Sequence, residues 1–473
     1  MNRALEIVLA LVLAATVLNF AGVEPIGYTL MEVVLFAALL ALFTSSTWSG
    51  KLEFRASIWP ALFAAWIVIQ MVPLPAHLVQ RLEPARFQMP SAHPDAAAYL
   101  TLSIYPHATL LLWVRFLAYF AAFILAVHLF DSRRRASLLV RTLIGLGLLE
   151  AVYGSVEYLT GQEKIFTFSK QYYTGMATGT FINHNHFAGF LELTMPFLVG
   201  SGLYYFQVWQ ENRRRRYSGR QQPGTSAGFQ AFVYVFLVIV ILAGLIFSRS
   251  RGGILGALIS LLFIALLAQL RVRRKSWLVG LLAFIAVAAG YGLWIGLGPV
   301  LFRFEQLGLG KQEFDIATRL AFSRDALGLL RDYPWTGTGL GTFAIAFRHY
   351  QASWVQLFVE HVHNDYVEFA TDTGIPGAAL LFLPIVYLLI RMIVNFVRDP
   401  RRYRSSILLG CIGSVLAILI HSGMDFNLQI PANALTLAVV LGIGYKAACV
   451  EPLTEPSERS SSREAARAVT ARR

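Results

Sequence analysis

The sequence predicts an all-α polytopic membrane protein with about twelve transmembrane helices and one long external loop that contains short helices. The 473-residue chain is 56% hydrophobic, and its mean hydropathy is +0.57. Its charged fraction is only 14%, whereas soluble proteins carry about 25%. The two cysteines, Cys411 and Cys449, both fall in apolar segments. Neither a disulfide framework nor a cysteine metal site is therefore expected.

Twelve apolar runs approach the length of about 20 residues that a helix needs to cross a bilayer. They cover residues 5–22, 27–45, 57–75, 107–130, 138–157, 187–206, 230–248, 252–270, 277–297, 374–396, 405–424 and 431–449. Lys and Arg concentrate in cytoplasmic loops, so the arginine-rich connections predict that both termini are cytoplasmic. The first run lacks a small-residue cleavage site and further runs follow at once, so a retained helix is expected rather than a signal peptide.

These runs divide the chain into four predicted parts. Residues 1–297 carry helices one to nine, 298–373 form the long external loop with the candidate catalytic motif, 374–449 carry helices ten to twelve, and 450–473 form a disordered basic cytoplasmic tail. Loop 76–106 is expected to be irregular, and 207–229 is expected to be a flexible linker. The net charge of +13 is typical of cytoplasmic loops in a membrane protein, so no nucleic-acid partner is expected.

Two arginines, Arg249 and Arg251, stand on a turn of about four residues between two apolar runs. Snorkelling to lipid headgroups would explain them. An anion site is the alternative, because guanidinium forks match phosphate oxygens and the pair Gly252-Gly253 would let backbone N–H groups approach. Residues two apart on a helix point to different faces, so Arg251, next to the glycines, is preferred.

Arg115 lies about eight residues into the fourth predicted span, which corresponds to a depth of about 12 Å. An arginine inside a membrane is costly and is by default a functional candidate. The alternative is an ion pair with Glu150 or Glu157 on the next span. In the long loop, Arg319 belongs to a predicted helix that begins at Ala317.

Three polar clusters are predicted to share one membrane face and therefore one cavity. They are His361-Val362-His363-Asn364, Asn183-His184-Asn185-His186, and His421 with Asp425. An exposed loop histidine is usually only solvated, but histidine is also the natural base near neutral pH. Zinc is a further alternative, since His-x-His supplies two ligands; the sequence offers no third ligand at an ordinary spacing.

Two further patterns lie in the long loop. Pro334 to Gly341 matches the first two glycines of G-x-G-x-x-G, but no strand precedes it, so a turn is predicted rather than a nucleotide site. Downstream, Tyr366, Phe369, Ala370 and Thr373 recur at helical spacing, opposite Asp365, Glu368 and Asp372. This predicts a short amphipathic helix in the membrane interface, broken from the next span by Gly374-Ile375-Pro376-Gly377.

At these residues the chain resembles the bacterial O-antigen ligase and O-antigen polymerase superfamily of lipid-linked glycan transferases. The matching elements are Thr180-Phe181-x-Asn183-x-Asn185-His186, Ser250-Arg251-Gly252-Gly253, Arg319, Asp332-x-Pro334, Gly337-x-Gly339, His363-Asn364 and Gly374-Ile375-Pro376-Gly377. The resemblance covers about residues 170–390. It implies a helical fold in the bacterial inner membrane with its active site on the periplasmic face.

The resemblance also implies an activity, a metal-independent inverting glycosyl transfer that uses no cofactor. The donor would be an undecaprenyl-diphosphate-linked glycan, and the acceptor a hydroxyl group on a glycan or on lipid A core. His363 would be the catalytic base, and Arg251 and Arg319 would hold the diphosphate. His361 could be the base or could orient His363. The remaining substrate-binding candidates are Arg249, Arg115, Asn183, His186 and Asn364.

Ligase and polymerase are not separated by the sequence, because both activities would use the same residues. A protein-glycosylating member is less favoured, because the chain ends in a short basic tail. A transporter would favour inverted repeats with sites at the membrane midplane; the sequence shows neither, so a transporter is the weaker alternative.

Overall fold

A computed structural model describes residues 2–44, 54–88, 98–130, 133–217, 226–272, 286, 290, 316–352 and 358–450. Most of the predicted ninth span (277–297), the first part of the long loop and the basic tail lie outside the described residues. The division of the chain into four parts therefore stays a prediction.

Fourteen α-helices make up most of the described chain. They are α1 Asn2–Leu18, α2 Pro25–Phe43, α3 Phe54–Met71, α4 Ala76–Leu82, α5 Pro106–Leu129, α6 Arg133–Thr160, α7 His184–Tyr217, α8 Ser226–Phe247, α9 Arg251–Val272, α10 Ile316–Asp332, α11 Phe343–Ala346, α12 Asp365–Arg398, α13 Arg402–His421 and α14 Pro431–Cys449. Two short antiparallel pairs accompany them: β1 Leu74–Pro75 with β2 Tyr99–Leu100, and β3 Lys164–Ile165 with β4 Phe168–Ser169.

Nine of the described helices are long and apolar enough to cross a membrane: α2, α5, α6, α7, α8, α9, α12, α13 and α14. Two further predicted spans coincide with α1, which has 17 residues, and with α3, whose apolar part is the shorter segment Ile58–Met71. The all-α, multi-pass membrane fold is thus confirmed, and the number of twelve spans stays a prediction.

The centre of the bundle is the contact between α7 and α13. Small residues let the two helices approach closely: a Cβ at Gly200 would lie 2.2 Å from the carbonyl oxygen of Ser406, and one at Gly410 would lie 2.5 Å from Phe197. α7 also packs against α8 and α9, while α13 packs against α9 and α14. The N-termini of α7, α9 and α12 and the C-terminus of α13 consequently meet at one end of the bundle.

Two expectations about connections are corrected. The Arg-rich start of the predicted linker 207–229 is helical, because α7 continues to Tyr217. Loop 76–106 is not irregular throughout. It contains α4, a 3₁₀ turn at Pro84–Gln88 and strand β2, which pairs with β1 just before the loop. Arg86 fixes the loop by donating to the carbonyl oxygen of Thr101 and by pairing with Glu83.

The predicted break behind the histidines is present as a kink in α12. Gly374 has φ 69 and ψ 171, which no α-helix accommodates. The segment Trp335–Gly341 lies against this kink, and Gly339 N donates to the carbonyl of Asp372 at 2.8 Å. Gln70, buried on α3, joins both segments by donating to the carbonyls of Thr336 and Asp372. The glycine-rich segment is therefore a turn packed on α12, as predicted.

The acidic side of the helix before this kink does not face water. Asp365, Glu368 and Asp372 are all buried. Asp365 accepts from Leu428 N, Glu368 accepts from Val362 N, and Asp372 accepts from Gly341 N. The spacing predicted the helix correctly, but an amphipathic helix with a polar face toward solvent is wrong, because backbone N–H groups of neighbouring loops take up the carboxylates.

Gly374→Ala is expected to destabilise the protein by about 2 kcal/mol or more, because it adds left-handed strain to overpacking. Gly374 has a positive φ, and its Cβ would lie 2.4 Å from the carbonyl oxygen of Trp335. Thermal unfolding of the detergent-solubilised protein measures the loss. The matched control is Gly145→Ala on α6, whose Cβ would meet no atom within 4 Å. Equal melting temperatures for the two variants would contradict this account of the kink.

Candidate active site

A buried carboxylate, Asp425, joins the polar groups at one end of the bundle. It lies in the turn between α13 and α14, and its side chain is about 1% exposed. Its Oδ1 accepts from His363 Nδ1 at 3.1 Å, and its Oδ2 accepts from Arg319 Nη1 at 3.1 Å. His186 Nε2 lies 3.8 Å from Oδ1. Asp425 thus joins three side chains that each lie at least 62 residues from it in the chain.

Asp425 carries a negative charge in this arrangement. Burial by itself would raise the pKa of its carboxyl group, but the His186 and His363 imidazoles and the Arg319 guanidinium outweigh burial and hold the pKa well below its usual range. The position of the carboxylate is fixed by the backbone, because Asp425 N donates to the carbonyl of His421 at 3.0 Å. The Asp425 carboxylate is therefore a fixed anion that faces two imidazoles and one guanidinium.

His363 is held in one orientation by this carboxylate. Because a carboxylate can only accept, the 3.1 Å contact requires that Nδ1 carries the proton. In the neutral ring, Nε2 then carries the lone pair that a general base needs. His363 also has φ 57, a left-handed conformation that is uncommon outside glycine but that Asn, Asp and His adopt more often than other residues.

His361 is paired with a different carboxylate. Its Nδ1 donates to Glu368 Oε1 at 2.6 Å, and in the described part of the chain its Nε2 has no hydrogen-bond partner. Burial by itself would lower the pKa of His361, but the Glu368 carboxylate, with Glu360 and Asp365 contributing less, raises the pKa above its ordinary value. The Glu368 carboxylate therefore favours the charged form of the His361 imidazole.

The ring of Phe426 lies among the three histidines. His361 stacks on it with centroids 4.1 Å apart, His363 meets its edge at 5.0 Å, and His186 does so at 4.5 Å. An imidazolium is attracted to an aromatic face, so Phe426 supports the charged form of His361 and limits where the other two rings can lie.

Arg319 is placed on α10 beside this cluster. Its Nη1 also donates to the carbonyl of Met424 at 3.0 Å, and its side chain remains 27% exposed. The turn that carries Arg251 reaches the same place from α9, since a Cβ at Gly252 would lie 2.7 Å from His421 and 3.5 Å from Met424. Arg251 is exposed, and no described residue forms a hydrogen bond or ion pair with its guanidinium.

Arg249 is occupied differently from Arg251. Its Nη2 donates to the Tyr158 hydroxyl at 3.2 Å, and its guanidinium lies 5.6 Å from the centre of that ring. The two arginines therefore diverge, as their spacing predicted.

The glycine pair is closely packed, and its expected role in admitting an anion stays a prediction. Gly252 packs against His421, and a Cβ at Gly253 would lie 2.6 Å from Ala188 and 2.8 Å from Glu192. The two glycines serve close helix packing. They bring α9 against the buried pair His421 and Glu192, whose Nδ1 and Oε1 are 3.0 Å apart.

Two asparagines among the candidates cap helices. Asn364 accepts from Tyr366 N at 3.1 Å and Val367 N at 3.2 Å, and it donates to the carbonyl of Gly423. Asn183 accepts from Asn185 N at 2.8 Å and donates to the Tyr173 hydroxyl. Asparagine is a preferred N-cap residue, so these side chains fix the start of α12, directly after His363, and the start of α7, which carries His186. Their predicted contact with substrate stays a prediction.

Arg115 pairs with neither Glu150 nor Glu157. Its Nε lies 3.2 Å from Glu32 Oε1, and its guanidinium lies 3.6 Å from the centre of the Tyr28 ring. The reason is that α5 packs against α2, which carries both partners. Glu150 and Glu157 instead bind the segment before α7, where Glu150 accepts from Thr180 N and Glu157 accepts from Thr178 N.

Three residues have roles here that the sequence analysis did not assign. Asp425 was expected only as a member of a polar cluster, Glu368 only on the acidic side of a helix, and Phe426 was not named. A weak signal existed for Asp425, which follows His421 by four residues at the end of an apolar run. In the described part of the chain, no three His, Cys, Asp or Glu side chains are grouped so that they could hold a metal ion.

The fold and the site define a multi-pass α-helical membrane protein that gathers histidines, an arginine and a buried carboxylate at one end of its helices. Residues 236–382 match the family model described as O-antigen ligase. This range includes Arg251, Arg319, His361 and His363. This matched part of the chain is similar to O-antigen ligases and supports the O-antigen ligase and polymerase superfamily, a family that implies a glycosyltransferase-type membrane enzyme. No protein with curated annotation matches it.

Proposed function

We propose that the protein transfers a glycan from an undecaprenyl-diphosphate carrier to a hydroxyl group of a glycan or of lipid A core. The reaction takes place on the periplasmic face of the bacterial inner membrane, with both termini cytoplasmic. The observation that carries the proposal is Asp425, whose two oxygens bind His363 and Arg319. A base and a cation are thereby held on one buried anion, and a glycosyl transfer from a diphosphate needs both.

His363 Nε2 takes the proton of the acceptor hydroxyl as that oxygen attacks the anomeric carbon. The bond between this carbon and the diphosphate oxygen breaks, and attack from the opposite side inverts the configuration. Asp425 holds the correct tautomer and stabilises the imidazolium that forms, a role that an oriented carboxylate plays in other histidine-based catalysts. The diphosphate leaves with the electron pair of this bond and therefore carries the negative charge.

Arginines neutralise the leaving group in this proposal. Arg319 donates to the carbonyl of Met424, and Gly252, next to Arg251 in the chain, packs near the same residue. Guanidinium groups suit bidentate contact with phosphate oxygens. Electrostatic stabilisation of this kind does not require a metal ion, so the transfer is proposed to be metal-independent. His361 supplies a further positive charge through Nε2, and in this proposal it acts as a binding residue rather than as the base.

Arg251→Ala is expected to raise the KM for the lipid-linked donor by about 10- to 100-fold with a smaller change in kcat, because a charge-assisted contact is worth about 1.5–3 kcal/mol. Initial rates at varied donor concentration measure the effect. The matched control is Arg324→Ala, which removes an exposed arginine on α10. An unchanged donor KM for Arg251→Ala would count against the anion site.

The donor KM is expected to depend on pH through His361. Its raised pKa extends the imidazolium form to a higher pH than in an ordinary histidine, so donor binding is strong below this pKa and weakens as the pH rises through it. In His361→Gln the KM should be about tenfold higher and should lose this pH dependence. In Glu368→Gln the weakening should begin at a lower pH. A pH-dependent donor KM that persists unchanged in His361→Gln would refute the assignment.

Deletion in the native host, followed by analysis of the glycans, tests the function as a whole. Accumulated long glycans on the undecaprenyl carrier would identify a ligase. Accumulated single repeat units would identify a polymerase, the alternative activity within the same superfamily. Unchanged glycans would contradict the proposal.

A further inference from the structure

A small hairpin between α6 and α7 exposes two aromatic side chains. Its strands pair Lys164 with Ser169 and Ile165 with Phe168. Phe166 at the turn is 51% exposed and Phe168 is 62% exposed. An isolated two-stranded hairpin is at best marginally stable in water. The hairpin therefore needs contacts outside its own two strands to be stable, and the two exposed rings need a partner.

The hairpin is fixed to the outer end of α6 rather than projecting away from it. Phe166 N donates to the Tyr153 hydroxyl at 2.8 Å, and the two rings are 5.7 Å apart. Lys170, just after the hairpin, is buried and pairs with Glu157. Tyr153 lies seven residues before the end of α6, which is about 10 Å along the helix axis. The turn consequently lies beside the last turns of a helix that crosses the membrane.

The exposed rings continue an apolar stripe on α6. Four exposed side chains recur along that helix at helical spacing: Leu149, Val152, Val156 and Leu159. In a helix long and apolar enough to span a membrane, such a stripe faces lipid. Phe20 extends the same apolar surface, since its ring lies 6.5 Å from Phe166 and 5.3 Å from Phe168.

The backbone at Phe166 favours glycine, yet the residue is aromatic. Phe166 has φ 54, a left-handed conformation that glycine adopts freely and that is a genuine outlier for a bulky residue. Strain of this kind persists where a particular side chain is needed. Its ring lies against those of Tyr153 and Phe20, and half of its surface remains uncovered.

We propose that the 164–169 hairpin inserts Phe166 and Phe168 into the outer boundary of the bilayer, where lipid headgroups meet acyl chains. Aromatic residues are enriched at this boundary because their flat apolar rings suit it. Lys164, exposed on the paired strand, can reach lipid phosphates at the same level. The hairpin is then a membrane anchor, separate from the transmembrane helices.

The anchor has a consequence for the site. The chain runs from the hairpin to Tyr173, whose hydroxyl accepts from Asn183 at the start of the helix that carries His186. Insertion of the hairpin sets the height of this segment relative to the lipid surface. If the proposed function holds, that height matches the level of a lipid-linked diphosphate.

Depth-dependent fluorescence quenching tests the anchor in the full-length protein. Cys449→Ser leaves only the buried Cys411, and Thr167→Cys then accepts an NBD label between the two phenylalanines. The protein is reconstituted in phosphatidylcholine and phosphatidylglycerol vesicles containing nitroxide lipid, and iodide probes exposure to water. The matched control carries the label at Arg331→Cys on α10. The readout needs no glycan transfer, so it stands apart from the test of the proposed function.

The label at 167 is expected to be quenched at least about twofold more by shallow nitroxide lipid than the label at 331, with the reverse order for iodide. Phe166→Gly with Phe168→Ser should abolish the lipid quenching while the protein stays folded, because glycine suits the backbone at 166. Strong iodide quenching without lipid quenching would overturn the proposal and would indicate a protein or glycan partner. Lipid quenching that survives in the double variant would equally overturn it.

Discussion

His363→Ala is expected to lower glycan transfer by about 10²- to 10⁴-fold, the contribution typical of a positioned general base. The protein should still fold and insert, because His363 lies in a loop before α12 and the bundle is packed by α7, α9, α13 and α14. Transfer in membranes supplied with lipid-linked donor and acceptor measures the loss.

The backbone at His363 dictates the controls. Because φ is 57, alanine adds strain there, whereas His363→Asn keeps a residue that tolerates this conformation but cannot accept the proton. Both variants should be equally inactive. His349→Ala removes an exposed histidine from the same loop and should leave transfer unchanged. Transfer near the wild-type rate by His363→Asn would show that His363 is not the general base.

Asp425→Asn is expected to have the second largest effect, with a loss of about 10²-fold or more in kcat. The neutral amide cannot fix the proton of His363 on Nδ1 or stabilise the imidazolium. It also leaves the Arg319 guanidinium without its buried counter-charge, and breaking one partner of a buried pair is strongly destabilising. Kinetics with the purified protein should show a lower kcat and a higher KM for the donor.

A double-mutant cycle separates this role from a structural one. Residues that act as a unit are strongly non-additive, so His363→Asn combined with Asp425→Asn should be hardly slower than either single variant. Asp332→Asn is the control, since Asp332 is exposed and bound to the Tyr350 hydroxyl. Independent, additive losses for His363 and Asp425 would show that the two residues do not work together.

Hydropathy predicted the helices of the fold because a bilayer imposes length and apolarity on each span separately. The kink at Gly374 could also be predicted from the sequence, since Gly-Ile-Pro-Gly breaks helices locally. The close contact of Gly374 with Trp335 was not, because it joins residues about 40 positions apart. The partner of Arg115 was missed for the same reason: only the packing of α2 on α5 brings Glu32 to it.

The site was predictable as a set of residue types but not as a set of pairs. His361 and His363 look equivalent in the sequence, yet one pairs with Glu368 and the other with Asp425. Asn183 and Asn364 could have been recognised as caps, because each directly precedes a helix. The role of Asp425 could not, since it depends on a turn that presents one carboxylate to α10 and to the loop before α12.

Chemical rescue of a His363 variant tests the central claim most directly. His363→Gly suits the left-handed backbone and leaves space for a free imidazole. The account predicts that the reconstituted variant transfers almost no glycan by itself, and that added imidazole restores transfer in proportion to its concentration. Transfer at the wild-type rate without imidazole would contradict the claim that His363, held by Asp425, takes the proton of the acceptor.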